Sequence, residues 1–300
     1  MSLTVSGDKA CLNAKPISPL SGDGTSRFQI HQESIYYMTM NPTSYSLILK
    51  ISLLFLILST GGEVVHAQRY QDFSTKTPLA KGHILIIGFL GGRESWNNQK
   101  QSVRKLALKF RSMGLSEVHV ETVENTKRRL AIELIRNAFD YDRDGRLDEQ
   151  ERTGARLVLY GQSFGGAAVV KLARELEKMN VPILLTVQVD SIGWGDRLIP
   201  TNVARAANLF QRNGLIIKGE REVRPQDPGR TTIIGNFEFD YSHKKINISE
   251  VSWHKKIFRV AHTKMDQDPA VWGLVEKIIV DEINPLFKNV QLHQRDREPH

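Results

Sequence analysis

The residues best placed to do chemistry form the pentapeptide Gly161-Gln162-Ser163-Phe164-Gly165, of pattern G-x-S-x-G. An apolar run, Arg156-Leu157-Val158-Leu159-Tyr160, leads into it, and a helical pattern with the small residues Gly166, Ala167 and Ala168 leaves it. A strand that turns at once into a helix forces strained backbone on the corner residue, and small neighbours remove the clash. The turn lifts the Ser163 hydroxyl above a sheet edge, at the amino end of a helix whose dipole favours negative charge. Such a hydroxyl is suited to nucleophilic attack that leaves an anionic oxygen nearby. The pentapeptide alone also fits a plain glycine-rich turn; its strand and helix give it meaning.

A second constellation is Asp140-Tyr141-Asp142-Arg143-Asp144-Gly145-Arg146-Leu147-Asp148-Glu149-Gln150-Glu151. Read as a twelve-residue EF-hand loop, it sets side-chain oxygens at Asp140, Asp142, Asp144, Asp148 and Glu151, with Arg146 offering its backbone carbonyl. Gly145 supplies the sharp bend at position six, and Leu147 the apolar anchor at position eight. Hard oxygen ligands at this spacing predict Ca²⁺ as a cofactor. The outgoing helix must be short, because the strand at Arg156 follows closely, and no second loop is present to pair with it. A lone loop of this kind predicts a structural staple rather than a sensor. A solvated acidic turn without metal is the plain alternative.

Around these sites the pattern alternates in the way of an α/β protein. Apolar or alternating runs at residues 83–87, 117–123, 156–160 and 181–189 predict strands, and helical spacing predicts helices at 96–113, 127–139 and 167–179. A further helical stretch is expected from Ala204 to Arg212, roofing the site or covering the sheet. Asp268 as N-cap and Pro269 as first helical residue predict the start of a last helix. The expected fold is a three-layer α/β sandwich with a mostly parallel sheet, its ligands at the carboxyl ends of the strands.

Over residues 80 to 285 the chain resembles the α/β-hydrolase superfamily, on the strength of the pentapeptide in its strand–turn–helix setting. The resemblance implies a triad in the chain order serine, acid, histidine, and an oxyanion hole after an earlier strand. His262 stands where that pattern puts the histidine, ahead of the last helix, with His243 next and His254 beside Lys255 and Lys256. Asp190 ends the strand 183–189, the acid position of pancreatic-type lipases; Asp196, Asp227 and Asp240 are its rivals. Ile87-Gly88-Phe89-Leu90-Gly91-Gly92 looks like the family's oxyanion loop. It implies that the N–H groups of Phe89 and Phe164 hold the oxyanion, with Leu90 as a substitute for Phe89. The implied activity is cleavage of a small-molecule or lipid ester or thioester, the acyl group passing to water or to another alcohol. A calcium-binding protein on the same scaffold without turnover is the alternative.

The run Leu47–Leu58, interrupted by Lys50 and Ser52, is too short to cross a bilayer, for which roughly 20 apolar residues are needed. With Met38 or Met40 upstream and Val65-His66-Ala67 downstream, residues 38–67 read as a signal peptide, predicting export after cleavage near Ala67 and no stable transmembrane anchor. Residues 1–37 read as an over-extended start or a disordered segment, and residues 68–300 as the hydrolase-like domain. The chain's single Cys, Cys11, lies in the first of these segments, so the exported form would carry no thiol. The net charge of +8 (41 Lys+Arg, 33 Asp+Glu) falls on the domain, since residues 1–67 carry four of each sign. Its basic residues are scattered, with no recognition helix or phosphate loop, which argues against nucleic acid as a partner. Nothing in the sequence fixes an oligomeric state.

Overall fold

The computed structural model describes residues 67–214, 217–249, 251 and 260–295. The expectations for residues 1–37 and for the leader up to His66 lie outside the described residues, as does His254. Six strands form one sheet: β1 (Ile84–Leu90), β2 (Val118–Glu124), β3 (Leu157–Gln162), β4 (Ile183–Val189), β6 (Val203–Phe210) and β8 (Thr232–Glu238). They lie in the order β2-β1-β3-β4-β6-β8, and every neighbouring pair is parallel. Two short strands, β5 (Leu198–Ile199) and β7 (Arg224–Pro225), pair separately. The helices are α1 (Ser102–Ser112), α2 (Arg128–Phe139), α3 (Glu149–Gly154), α4 (Phe164–Glu177), α5 (Val260–Gln267) and α6 (Pro269–Arg295).

The three layers follow from side-chain alternation along the strands. In β1, Leu85, Ile87 and Phe89 join a core with Leu134 and Ile135 of α2 and Val169 and Leu172 of α4. Ile84 and Ile86 turn the other way, to Val103, Leu106 and Phe110 of α1 and Val271, Val275 and Ile279 of α6. Both faces of the sheet are covered, which is why the central strands are apolar throughout rather than alternating. This is the α/β sandwich the sequence predicts.

One expected element is corrected. The stretch Ala204–Arg212, expected as a helix, is the strand β6, so it neither roofs a site nor packs over the sheet. Ala, Arg and Asn carry no strand preference, but β6 is paired on both sides, with Leu185 opposite Arg205 and Phe237 opposite Leu209. Its small Ala206 and Ala207 are buried against opposite cores. Pairing and burial override local propensity here. The edge strand β8, with alternating exposed residues, had no clear sequence signal.

From β1 the chain steps outward to β2 and then crosses back to β3 on the other side of β1. The carboxyl ends of β1 and β3 therefore flank a topological switch point, where open α/β sheets bind ligands. No helix among the described residues is long and apolar enough to cross a membrane.

Candidate active site

Ser163 stands at that switch point, between the end of β3 and the first residue of α4, with φ 60° and ψ −125°. These angles mirror an extended conformation, which an L-residue adopts only at a cost of roughly 1–3 kcal/mol. The surroundings hold it there: Ser163 N donates to Val189 O at 2.9 Å, and Ile192 N donates to Ser163 O at 3.2 Å. The glycines of the pentapeptide are needed for close approach. A Cβ on Gly161 would fall 2.5 Å from the Gly165 carbonyl carbon, and one on Gly165 would collide with the Phe89 carbonyl. The tight turn thus presses on β1 and on itself, with no room for any side chain but hydrogen.

Asp190 follows the last residue of β4, has φ 44° and is fully buried. Its Oδ2 accepts from Gln211 Nε2 at 3.0 Å and from His262 Nδ1 at 2.6 Å. A carboxylate only accepts, so Nδ1 carries the proton and the lone pair of the neutral imidazole is left on Nε2. His262 lies within α5, ahead of the last helix α6, and is itself buried. Its Nε2 meets the side-chain amide of Gln162 at 3.2 Å. The Ser163 hydroxyl, almost buried, makes no hydrogen bond with a described residue. The structure therefore joins Asp190 to His262 directly, and His262 to the pentapeptide through Gln162.

The rival acids are engaged elsewhere. Asp196 accepts from Ser191 Oγ at 2.5 Å, Asp227 from Gly229 N at 2.8 Å, and Asp240 from Asn213 Nδ2 at 2.8 Å. His243 is exposed in a turn near Asp240, whose carboxyl the Ser242 hydroxyl and N–H hold below its ordinary range. Of the oxyanion candidates, Phe164 is the first residue of α4, next to Ser163. Phe89 and Leu90 lie inside β1; Phe89 is paired to Val123 on one side and Gly161 on the other, so its N–H serves the ladder. Leu90 O accepts from Asn125 Nδ2 on the β2 side. Gly91, the first residue past β1, is the one that abuts Ser163: a Cβ there would lie 3.1 Å from Ser163 Cβ.

Three neighbours of Ser163, Asp190 and His262 were not singled out from the sequence. Gln162 sat in the pentapeptide as an unspecified position. Gln211 was hidden by the helix expected over it, although it follows β6 directly. Gly91 follows β1 only because the strand runs on to Leu90; the expected end at Ile87 put Gly88 first after it.

The acidic loop has the bend it was expected to have, with Gly145 at φ 84° and Leu147 buried. Carboxylate oxygens of Asp140, Asp142 and Asp144 lie within 4.8 Å of one another. Asp142 is exposed and accepts the Asp144 N–H, which lowers its carboxyl; desolvation, the charges of Asp144 and Glu151 and a hydrogen bond with the Asp140 side chain outweigh this and raise it above its ordinary value. Asp148 and Glu151 are not drawn into that cluster. They form a reciprocal capping box on α3, Glu151 N donating to Asp148 Oδ1 at 2.8 Å and Asp148 N to Glu151 Oε2 at 2.9 Å. Glu151 Oε1 also accepts from Tyr141 N at 2.6 Å, closing the loop end to end. Arg146 N donates to Asp144 Oδ1 at 2.7 Å.

No protein-family model matches the chain, and neither does any curated protein. Among solved structures, the crystal structure of dienelactone hydrolase from Anabaena variabilis aligns over 68% of this chain and 87% of its own, at 11% identity and a TM-score of 0.34. So loose a likeness adds nothing to what the sheet order and the residues above already say.

Proposed function

We propose that the protein is an exported serine hydrolase of the α/β-hydrolase fold that cleaves carboxylic esters or thioesters of small-molecule or lipid substrates. In this reading Ser163 Oγ attacks the acyl carbon while its proton passes to His262 Nε2. Asp190 holds the imidazole in the accepting tautomer and stabilises the imidazolium that forms. The developing oxyanion is met by the Phe164 N–H at the amino end of α4 and by a second N–H from the β1 turn, for which Gly91 is better placed than Phe89. The bond to the leaving oxygen or sulfur breaks, and His262 returns the proton to it. Water then attacks the acyl-enzyme with His262 as base, releasing the acid and restoring Ser163.

The observation that carries this reading is the buried 2.6 Å Asp190–His262 pair, whose second ring nitrogen meets the strained pentapeptide of Ser163 through Gln162. What favours the second reading, a scaffold without turnover, is that Gln162 rather than Ser163 meets that nitrogen. Hydrolysis of p-nitrophenyl esters of graded acyl length separates the two. Loss of a base of this kind is worth about 10²–10⁴ in rate. Rates that fall by that order in Ser163→Ala and His262→Ala support the hydrolase, and equal rates in all three proteins refute it.

The same proposal includes Ca²⁺ on the acidic loop. The three converging aspartates are the hard oxygen donors such an ion needs. Asp140, Asp142 and Asp144 would hold it with the Arg146 carbonyl, joined by Asp148 and Glu151. When bound, the ion supplies positive charge that ties the connection between α2 and β3 together, far from the chemistry.

A further inference from the structure

Gln162 does more than fill the second position of the pentapeptide. Its side chain is almost fully buried and spans the gap between the β1 turn and the histidine. A Cβ on Gly91 would collide with its Oε1, while its Nε2 lies 3.2 Å from His262 Nε2. The orientation of the amide follows from the chemistry of the imidazole. With Nδ1–H donated to Asp190, the neutral ring offers only a lone pair at Nε2, and only the amide N–H can meet it.

We propose that Gln162 is a positioning residue that occupies the base nitrogen of His262 in the substrate-free protein, so that proton transfer from Ser163 requires this hydrogen bond to be exchanged. The inference rests on the reading of His262 as general base. An imidazole nitrogen has one lone pair, and the Ser163 hydroxyl and the Gln162 amide compete for it. In this structure Gln162 holds it, and the hydroxyl has no partner among the described residues. The latch keeps the neutral tautomer facing the nucleophile and keeps the nucleophile unactivated until a substrate displaces the amide.

Two substitutions of similar length move the competition in opposite directions. Gln162→Met removes the donor and frees Nε2 for Ser163. Losing a competing neutral hydrogen bond worth about 1 kcal/mol predicts labelling of Ser163 by a fluorophosphonate about fivefold faster than in the wild type. Gln162→Glu replaces the donor with a charged acceptor that holds a proton on Nε2, so labelling slows. A side chain with only a packing role would slow labelling in both. The second readout is the ¹⁵N resonance of His262 Nε2 in Ser163→Ala, where the serine cannot donate: it stays at a hydrogen-bonded position there and moves to that of an unbonded lone pair when Gln162→Met is added. Labelling of Gln162→Met no faster than wild type, or of Gln162→Glu no slower, overturns the proposal. If Gln162→Met does not fold, the Nε2 resonance of Ser163→Ala decides: a hydrogen-bonded position supports the latch, and a bare lone pair overturns it. A wild-type protein that never labels removes the hydrolase reading instead, while the resonance still reports on Gln162.

Discussion

The strain at Ser163 can be measured without reference to any substrate. Ser163→Ala and Ser163→Gly both delete the hydroxyl, so its contacts cancel in the comparison. Only glycine relieves the backbone, because φ 60° and ψ −125° mirror an ordinary extended conformation and glycine accepts mirror images at no steric cost. The relief is roughly 1–3 kcal/mol. Against it stands the extra entropy glycine loses on folding, about 0.5–1 kcal/mol. Taking the middle of each range, the Gly variant should exceed the Ala variant by about 1 kcal/mol. At roughly 2–4 °C per kcal/mol for a domain of this size, that is a few degrees in Tm. Paired urea and thermal melts on the two variants read the difference. A Gly variant equal to or less stable than the Ala variant would refute the claim that the β3–α4 corner forces strain on its serine.

Other consequences follow from the buried pairs and the loop. Asp190→Asn puts an amide against the His262 Nδ1–H or rotates the ring to the wrong tautomer. Ester hydrolysis should drop by about 10²–10⁴ with little change in KM, and wild-type kcat would contradict the assigned role. Chelation should lower the Tm of the wild type, and Asp142→Asn with Asp144→Asn should remove that sensitivity; equal melts with and without chelator refute the calcium staple. Asp268 is buried, which raises its carboxyl, but bonds from Lys244 Nζ (2.5 Å), Tyr241 OH (2.8 Å) and Ala270 N (3.0 Å) hold it below its ordinary value. A depressed folded pKa contributes stability above the unfolded value, near 3.9, that is lost as pH falls through the folded one. Asp268→Asn should thus cost about 1–3 kcal/mol at neutral pH and progressively less in acid melts; a penalty independent of pH contradicts this.

Much of the fold was legible because the central strands are buried on both faces and read as short apolar runs closed by glycine or aspartate. β1, β3 and β4 and the helices α2 and α4 emerge from this pattern within a few residues. β6 was not legible. VARAANLF has the composition of a helix, and what makes it a strand is its place between β4 and β8, a contact between segments far apart in the chain. That one misreading also hid Gln211, whose amide helps hold Asp190. Ser163 and Asp190 were readable because each ends a strand, and a strand end in a parallel sheet lies at the ligand edge. Gln162 was not, because its role depends on where His262 returns from a hundred residues away. In the loop, spacing named the acidic residues. It could not say that Asp148 and Glu151 would be turned to the backbone of α3 while Asp140, Asp142 and Asp144 face one another.

In the proposed mechanism Ser163 is a nucleophile activated by His262. The direct measurement is reaction of the full-length protein with a fluorophosphonate, followed by mass-spectrometric mapping of the modified residue. A single adduct on Ser163 is expected, absent from Ser163→Ala and formed at least about 10²-fold more slowly in His262→Ala. Folded wild-type protein that forms no adduct, or one that maps to a serine outside the β3–α4 corner, would contradict it.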